Sequence, residues 1–308
     1  MRRLVIDTDP GVDDAHALMI ALAHPQAQIE AITTVAGNVC LARTTANALT
    51  ILDVIGRDIP VFAGCDRALL AQHEDASYVH GQDGLGNTHF PPSKRRLESE
   101  HAVQALIRLA SESPGELTLV AIGPLTNLAM ATRLDPSLPQ KYARLVVMGG
   151  AIRAMGNTPN PSVEFNLYTD PEAGAIVFST WKDLTLISWE TAMAYPFSAE
   201  EVDALGSRGN PRSDFFRRIT VNTLKFIREV LGREMLFASD SLAVAVALEP
   251  EIVTVAEKHY VQVEVAPGHT RGQTTVDWFD RSGHEVNTHI VLEVDRGRLW
   301  SLMDAAVR

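Results

Sequence analysis

The sequence predicts an α/β protein built on a mostly parallel sheet with helices on both faces. Two observations carry this expectation: short apolar, β-branched runs alternate with helical segments, and turn residues fall repeatedly just past the carboxyl ends of those runs. Leu4–Ile6 predicts the first strand, and Ala15–Ala23, rich in Ala, Leu and Met, predicts a helix stopped by Pro25. Ile29–Val35 predicts a second strand that ends at Gly37-Asn38; a helix from about Ala42 to Ile55 then leads to a short strand at Ile59–Phe62. His101–Ala110 reads as helix, Leu117–Ile122 as a buried strand, and Gly123-Pro124 opens the helix Leu125–Ala131. Leu145–Met148 is strand again, ending at Gly149-Gly150, and Leu184–Ser188 repeats the theme. Pro211–Leu231 and Ser241–Leu248 predict helices, and Ile252–Val265 and Thr288–Val294 predict late strands.

Composition bounds the function. With 308 residues, 46% hydrophobic and 21% charged, the chain is long enough for a large core in one α/β domain or in two smaller ones. A net charge of −11 disfavours a nucleic-acid backbone as partner, because phosphate binding needs a basic face. Met-Arg-Arg leads straight into a strand, with no apolar run before a cleavage site and no apolar stretch of spanning length, so no membrane association is expected. Cys40 and Cys65 do not make a disulfide framework, and a reduced cytoplasm is the expected location.

Directly after Leu4-Val5-Ile6 come four carboxylates in eight residues, Asp7-Thr8-Asp9-Pro10-Gly11-Val12-Asp13-Asp14. At an effective dielectric near 20, two such charges about 5 Å apart repel by roughly 3 kcal/mol, so the cluster calls for a cation or for protons. Oxygen-only ligands around a Pro-Gly turn favour Ca²⁺ or Mg²⁺ over zinc. Helix capping is the other reading of these aspartates, and it accounts for two of them at most.

In open α/β sheets ligands bind beyond the carboxyl ends of the strands. The Asp cluster, Gly37-Asn38, Ile122-Gly123 and Met148-Gly149 all fall there and can line one crevice, although each alone is also a plain turn. Glu164-Phe165-Asn166, ahead of Asp170-Pro171-Glu172-Ala173, places a carboxylate, an aromatic and an amide in a loop entering a helix, a trio suited to hydroxyl recognition over a hydrophobic backstop. Asp240, in Ala238-Ser239-Asp240-Ser241, reads as an N-cap and also as a distant oxygen ligand for a cation at the first cluster.

Together with Ala31-Ile32-Thr33-Thr34-Val35-Ala36-Gly37-Asn38, Gly123-Pro124-Leu125-Thr126-Asn127 and Val147-Met148-Gly149-Gly150, these motifs closely resemble the inosine-uridine-preferring nucleoside hydrolase family, nearly end to end and in the family's order. The resemblance implies a single Rossmann-like domain over residues 1–308 that hydrolyses ribonucleosides to ribose and free base, holds one Ca²⁺, and assembles as a homodimer or homotetramer. It implies Asp9, Asp14, Asp240 and the Ile122 carbonyl as calcium ligands, with the remaining positions taken by the nucleophilic water and the ribose 2′- and 3′-hydroxyls. Asp9 resembles the general base; Asp13, Asn38 and Asn166 match the ribose-hydroxyl contacts, Asn157 and Glu164 those to the 5′-hydroxyl, and Met148 packs near the sugar, with Phe165 beside them. Asp7 buttresses the turn. His80, in His80-Gly81-Gln82-Asp83-Gly84-Leu85-Gly86, matches a histidine near the base pocket and is the first candidate for the acid that protonates the leaving base.

The chain departs from the family pattern at that last step. In the best-known branch a His precedes the metal-binding Asp of the C-terminal third, whereas here Ser239 precedes Asp240, and a longer insert, Thr158-Pro159-Asn160-Pro161-Ser162-Val163, separates Asn157 from Glu164. A Ser hydroxyl is a poor acid at neutral pH. Two other readings stay open on the residues alone. One is a haloacid-dehalogenase-like phosphatase using Asp7 and Asp9 with Mg²⁺, and the other is a nucleoside- or sugar-binding protein without turnover.

Overall fold

The computed structural model describes residues 1–70 and 75–308. Its strands are β1 (Arg2–Thr8), β2 (Ala27–Thr34), β3 (Val61–Ala63), β4 (Thr118–Ala121), β5 (Arg144–Met148), β6 (Leu184–Ile187), β7 (Phe197–Ser198), β8 (Met235–Leu236), β9 (Val253–His259), β10 (Val261–Val263), β11 (Thr274–Val276) and β12 (Thr288–Val294). Eight of them form the central sheet in the order β3-β2-β1-β4-β5-β6-β12-β9. Every neighbouring pair is parallel except β12 with β9, which is antiparallel. The remaining four make two short antiparallel ribbons, β7 with β8 and β10 with β11.

The apolar runs are near-continuous because both faces of this sheet are covered. The pleat sends Leu4 and Ile6 to one core and Val5 to the other. On the first face lie the helices Val12–Ala23, Leu41–Ile55, Pro211–Leu231, Ser239–Leu248 and Arg296–Ala306, contributing Leu18, Ile51, Phe216, Leu242 and Leu299. On the second lie Ala102–Glu112, Thr126–Leu134 and Pro171–Thr180, contributing Leu106, Leu128 and Phe178. Every residue of Ser239–Leu248 is buried, and its run of Ala and Val lets the helix Val12–Ala23 approach closely.

Several elements differ from expectation for identifiable reasons. The strand expected at Ile59–Phe62 begins only at Val61, because Pro60 has no N–H for the ladder and offers only its carbonyl, which accepts from Ile32. The expected strand Ile252–Val265 is a 3₁₀ turn followed by two strands in different sheets. The break falls where the Asn287 side chain replaces a neighbouring strand, taking the Val261 N–H at 2.8 Å and donating to the Val261 carbonyl at 2.8 Å. The helix expected from Ser241 starts at Ser239, with Ala238 in the cap position, so Asp240 lies inside the first turn and is not an N-cap. Phe165–Thr169, Pro171–Thr180, Trp189–Met193 and Arg296–Ala306 are helices that hydrophobic periodicity does not announce, yet each is started by a side-chain cap, from Glu164, Asp170, Ser188 and Asp295 respectively. No helix among the described residues is long and apolar enough to cross a membrane.

Candidate active site

Because β1, β2, β4 and β5 are parallel neighbours, their carboxyl ends deliver Asp9, Asn38, Ile122 and Met148 to one edge of the sheet. Asp9 follows β1 directly and is fully buried. Its Oδ2 accepts the Asn38 backbone N–H at 2.7 Å, while its Oδ1 is buried with no hydrogen-bond partner. Glycine is required on both sides of this carboxylate: a Cβ on Gly37 would stand 2.0 Å from Oδ2, and one on Gly123 would stand 2.6 Å from Oδ1.

Asp14 does cap its own helix, accepting the Gly11 N–H at 3.0 Å through Oδ2, with further bonds from Thr8 Oγ1 at 2.5 Å and from Asn38 Nδ2 at 2.9 Å. Capping therefore explains Asp14 in part and leaves the others unexplained. One carboxylate oxygen each of Asp13, Asp14 and Asp240 lie within 4.8 Å of one another. Asp13, expected on the ribose rather than among the ligands, is thus a member of the convergent group, and its Oδ2 accepts from Ser239 Oγ at 2.9 Å. The Ile122 carbonyl accepts from Asn166 Nδ2 at 3.2 Å and keeps a second lone pair. Asp13, Asp14 and Asp240 make an oxygen-only donor set that fits a hard divalent cation; the expected ligand Asp9 falls outside that convergent group, and it and the Ile122 carbonyl are the further oxygens that could complete the site.

The electrostatics point the same way. Burial first, and then the neighbouring Asp14 and Asp13 charges, push Asp9 well above the ordinary carboxylate range. Asp240 is raised well above that range by burial and then by Asp13, Asp14, Asp9 and Glu164. Burial, with Asp13 next, brings Asp14 up to about 7. Without a counter-charge the cluster would hold protons at neutral pH.

Above the cluster opens a cavity of about 370 Å³. Its wall includes Asp13, Asn38, Ile122, Met148, Glu164 and Asn166, and also Phe165, Asn157, His80 and Asp240, so ten of the twelve expected site residues meet there. Asp9 and Asp14 lie buried beneath the floor. Glu164 caps Phe165–Thr169 and accepts from the backbone N–H of Gly150, Asn166 and Leu167; burial raises it to about 7. Asn166 Nδ2 donates also to the Met148 carbonyl at 3.2 Å, which welds two strand ends together. The far side of the cavity is aromatic, with the edge-on pairs Tyr78–Phe226 and Trp189–Phe237, each 5.4 Å between centroids.

His80 ends the short helix Ser77–His80, and its Nδ1 accepts the Val12 N–H at 3.1 Å. That bond assigns the neutral ring's proton to Nε2. Burial lowers the imidazole below its ordinary pKa.

Several supports escaped the sequence reading. Asn47 Nδ2 bridges the Pro10 carbonyl at 2.8 Å and the Asp83 carbonyl at 2.9 Å, tying the Asp cluster's turn to the His80 loop. Asn127 donates to Asp7 Oδ1 at 2.8 Å and to the Thr34 carbonyl at 3.0 Å beneath the site. Asp7 takes a second bond from Thr33 Oγ1 at 2.5 Å and does not reach the cavity, in keeping with a buttress. Burial raises it to about 7, and its Oδ2 is buried without a hydrogen-bond partner among the described residues.

The chain matches the family described as "Inosine-uridine preferring nucleoside hydrolase" over residues 4–301. It is 34% identical over 307 residues to the pyrimidine-specific ribonucleoside hydrolase RihB of Escherichia coli K12, covering 100% of this chain and 97% of that one. Among solved structures it is similar to a plant nucleoside hydrolase (TM-score 0.94, 32% identity, 99% and 98% of the two chains) and to an inosine-guanosine nucleoside hydrolase (TM-score 0.93, 33% identity, 100% and 99%). A purine-preferring ribonucleoside hydrolase from Gardnerella vaginalis is similar as well (TM-score 0.91, 28% identity, 99% and 98%).

One prediction follows from the buried carboxylates. A carboxyl group whose pKa is higher folded than unfolded binds more protons in the folded state, so stability declines as pH rises from the unfolded value, near 3.8, through the folded one. The chelated protein should therefore melt at a lower temperature at pH 8 than at pH 6, and saturating Ca²⁺ should abolish or reverse that difference. Equal melting temperatures at both pH values, unchanged by Ca²⁺ or Mg²⁺, would show that the cluster neither carries protons nor binds a cation.

Proposed function

The chain belongs to the inosine-uridine preferring nucleoside hydrolase family and is a nucleoside hydrolase; from that premise we propose that it cleaves the N-glycosidic bond of ribonucleosides, dependent on Ca²⁺, with Asp9 as general base. The observation that carries the proposal is the orphaned Asp9 Oδ1 beside the Asp13, Asp14 and Asp240 carboxylates, under a cavity lined by hydroxyl partners.

Asp9, Asp14, Asp240 and the Ile122 carbonyl would hold the ion, with Asp13 at its edge. When bound, a divalent cation there supplies the charge that lowers the pKa of a water and fixes vicinal hydroxyls. Asp9 Oδ1 accepts the proton of the water that attacks the anomeric carbon. The new C–O bond forms as the C–N bond breaks through an oxocarbenium-like transition state, and the bonding pair leaves with the base. Asp13, Asn38 and Asn166 meet the ribose 2′- and 3′-hydroxyls, Glu164 and Asn157 the 5′-hydroxyl, and Met148 and Phe165 pack against the sugar.

The leaving base needs relief of negative charge. Ser239 is not the donor, since its hydroxyl proton is committed to Asp13 and its acidity is low. His80 is the donor we propose. Its ring is neutral near pH 7 and presents Nε2–H, which hydrogen-bonds the departing base and stabilises the negative charge that develops on it, while solvent supplies the proton that completes the free base. The relatives' names span pyrimidine and purine preferences, so this chain's own base preference is a matter for a nucleoside panel. We extend the proposal to one catalytic domain over residues 1–308, a homodimer or homotetramer, and a cytoplasmic location.

Release of reducing sugar from a ribonucleoside panel tests the activity, and the 2′-deoxy analogue of the best substrate tests the recognised half. Hydroxyl partners left unpaired are costly, so the deoxy compound should lose at least about a hundredfold in kcat/KM. Equal kcat/KM for the two would contradict ribose recognition.

For His80, p-nitrophenyl riboside discriminates, because its leaving group departs without protonation. His80→Ala should slow inosine or uridine by about a hundredfold or more and p-nitrophenyl riboside by less than about threefold. Equal slowing of both, or of neither, removes His80 from leaving-group activation.

A further inference from the structure

The wall of the pocket that carries Asn157 is neither strand nor helix. Residues 151–163 form a loop after β5 whose tip is shaped by its own bonds: Gly156 N–H to the Pro161 carbonyl at 2.7 Å, Asn157 N–H to the Val163 carbonyl at 3.1 Å, and Thr158 Oγ1 to the Asn160 and Val163 carbonyls at 3.0 Å. These bonds set the shape of the tip. Asn160 Nδ2 also reaches the Arg271 carbonyl at 3.5 Å, so the tip has an anchor of its own beside the stem.

The stem of the loop is held by two side chains: the Ala151 N–H donates to Thr274 Oγ1 at 3.2 Å, and Glu190 gathers the amides that follow. Glu190 Oε2 accepts the Ile152 N–H at 2.9 Å, and its Oε1 accepts the Arg153 N–H at 2.8 Å and the Met155 N–H at 3.2 Å. Between them Ala154 has φ 58°, the left-handed region that non-glycine residues seldom adopt. A turn of that kind aims neighbouring amides at one point, which suits an anion. Glu190 supplies the anion from the first turn of Trp189–Met193. Its neighbour Trp189 lines the cavity and donates its backbone N–H to the Gly150 carbonyl at 2.9 Å, so this single helical turn fixes an aromatic wall and the Asn157 wall together.

We propose that Glu190, which does not itself line the cavity, is a positioning residue for the 5′-hydroxyl end of the substrate: by gathering the amides of Ile152, Arg153 and Met155 it holds the loop so that Asn157 meets that hydroxyl. The proposal rests on the reading of Asn157 given above. A carboxamide in place of the carboxylate keeps one acceptor oxygen and turns an NH₂ donor toward amide N–H groups, so Glu190→Gln releases at least one arm of the clamp without changing side-chain volume.

The test uses inosine or uridine, whichever is hydrolysed faster, and its 5′-deoxy analogue, with wild type, Asn157→Ala, Glu190→Gln, Glu190→Asp and the Asn157→Ala/Glu190→Gln double variant. Wild type should prefer the parent nucleoside, and Asn157→Ala should erase that preference. Glu190→Gln should raise KM for the parent nucleoside about tenfold, the size of one lost hydrogen bond, with kcat within about threefold. It should leave KM for the 5′-deoxy analogue nearly unchanged and add nothing in the double variant. Glu190→Asp, which keeps the charge on a shorter arm, should fall between wild type and Glu190→Gln, and it carries the test alone if the amide variant does not fold. If Asn157→Ala discriminates between the substrates while the Glu190 variants leave KM unchanged or slow both substrates equally, the inference is wrong and the reading of Asn157 stands. If Asn157→Ala itself treats both substrates alike, the 5′-hydroxyl reading is wrong and the inference falls with it.

Discussion

The structure depends on placing mutually repelling carboxylates where water cannot screen them. Asp9, Asp14 and Asp240 are all buried, and each is pushed upward first by burial and then by neighbouring carboxylates, Asp13 among them in every case. Charges in such surroundings are tolerable only with protons, donors or a cation to answer them. Asp14 is answered by four donors of its own neighbourhood, and Asp9 Oδ2 by the Asn38 amide. Asp9 Oδ1 is answered by nothing among the described residues, and that is what makes it available for a ligand or for a proton taken from water.

The rest of the fold serves that arrangement. Parallel pairing of β1, β2, β4 and β5 brings four turns to one edge, and the glycines at two of them let backbone pass within contact distance of Asp9. Beneath, Asn127, Thr33 and Asp7 form a hydrogen-bonded layer that fixes β1 against β2. Above, two connecting segments are held by side-chain clamps in addition to the packing of residues such as Leu85 and Ile152. Asn47 and Asp83 order the loop that carries His80, with Asp83 accepting from the amides of Leu85, Asn87 and His89. Glu190 does the same for the loop that carries Asn157. Rigid scaffold and pinned loops together give a pocket that is acidic and polar at one end and aromatic at the other.

Much of this was legible in the sequence because it is local. The apolar runs, the Pro-Gly turn inside the Asp cluster and the order of the motifs identify the sheet and its carboxyl edge, and ten of twelve expected residues line one cavity. What stayed hidden is long-range. The bond between Ser239 and Asp13 joins residues 226 positions apart, so nothing near Ser239 announces it. Asn127, read only as part of the motif that opens the helix after Gly123-Pro124, proves to be a buttress 120 positions from its partner Asp7. Asp13 was expected on the ribose alone, yet it converges with Asp14 and Asp240, because which oxygens of a first-turn pair face a distant helix depends on how that helix docks. The change of sheet at Tyr260 was equally hidden, since it turns on the Asn287 side chain and not on β-propensity.

Of the readings open at the start, the phosphatase is set aside by the family match over residues 4–301, and Asp7 is taken up by bonds to Thr33 and Asn127. The distinction that remains is whether Asp9 is the proton acceptor of the hydrolysis or serves only to hold a cation. The most direct measurement is kcat for p-nitrophenyl riboside with Asp9→Ala, since that substrate removes base preference and leaving-group activation from the comparison. A folded variant whose kcat falls by about a thousandfold or more is the result expected when base and metal ligand are removed together. A kcat within about tenfold of wild type, equivalent to roughly 1.4 kcal/mol, would contradict the role assigned to Asp9.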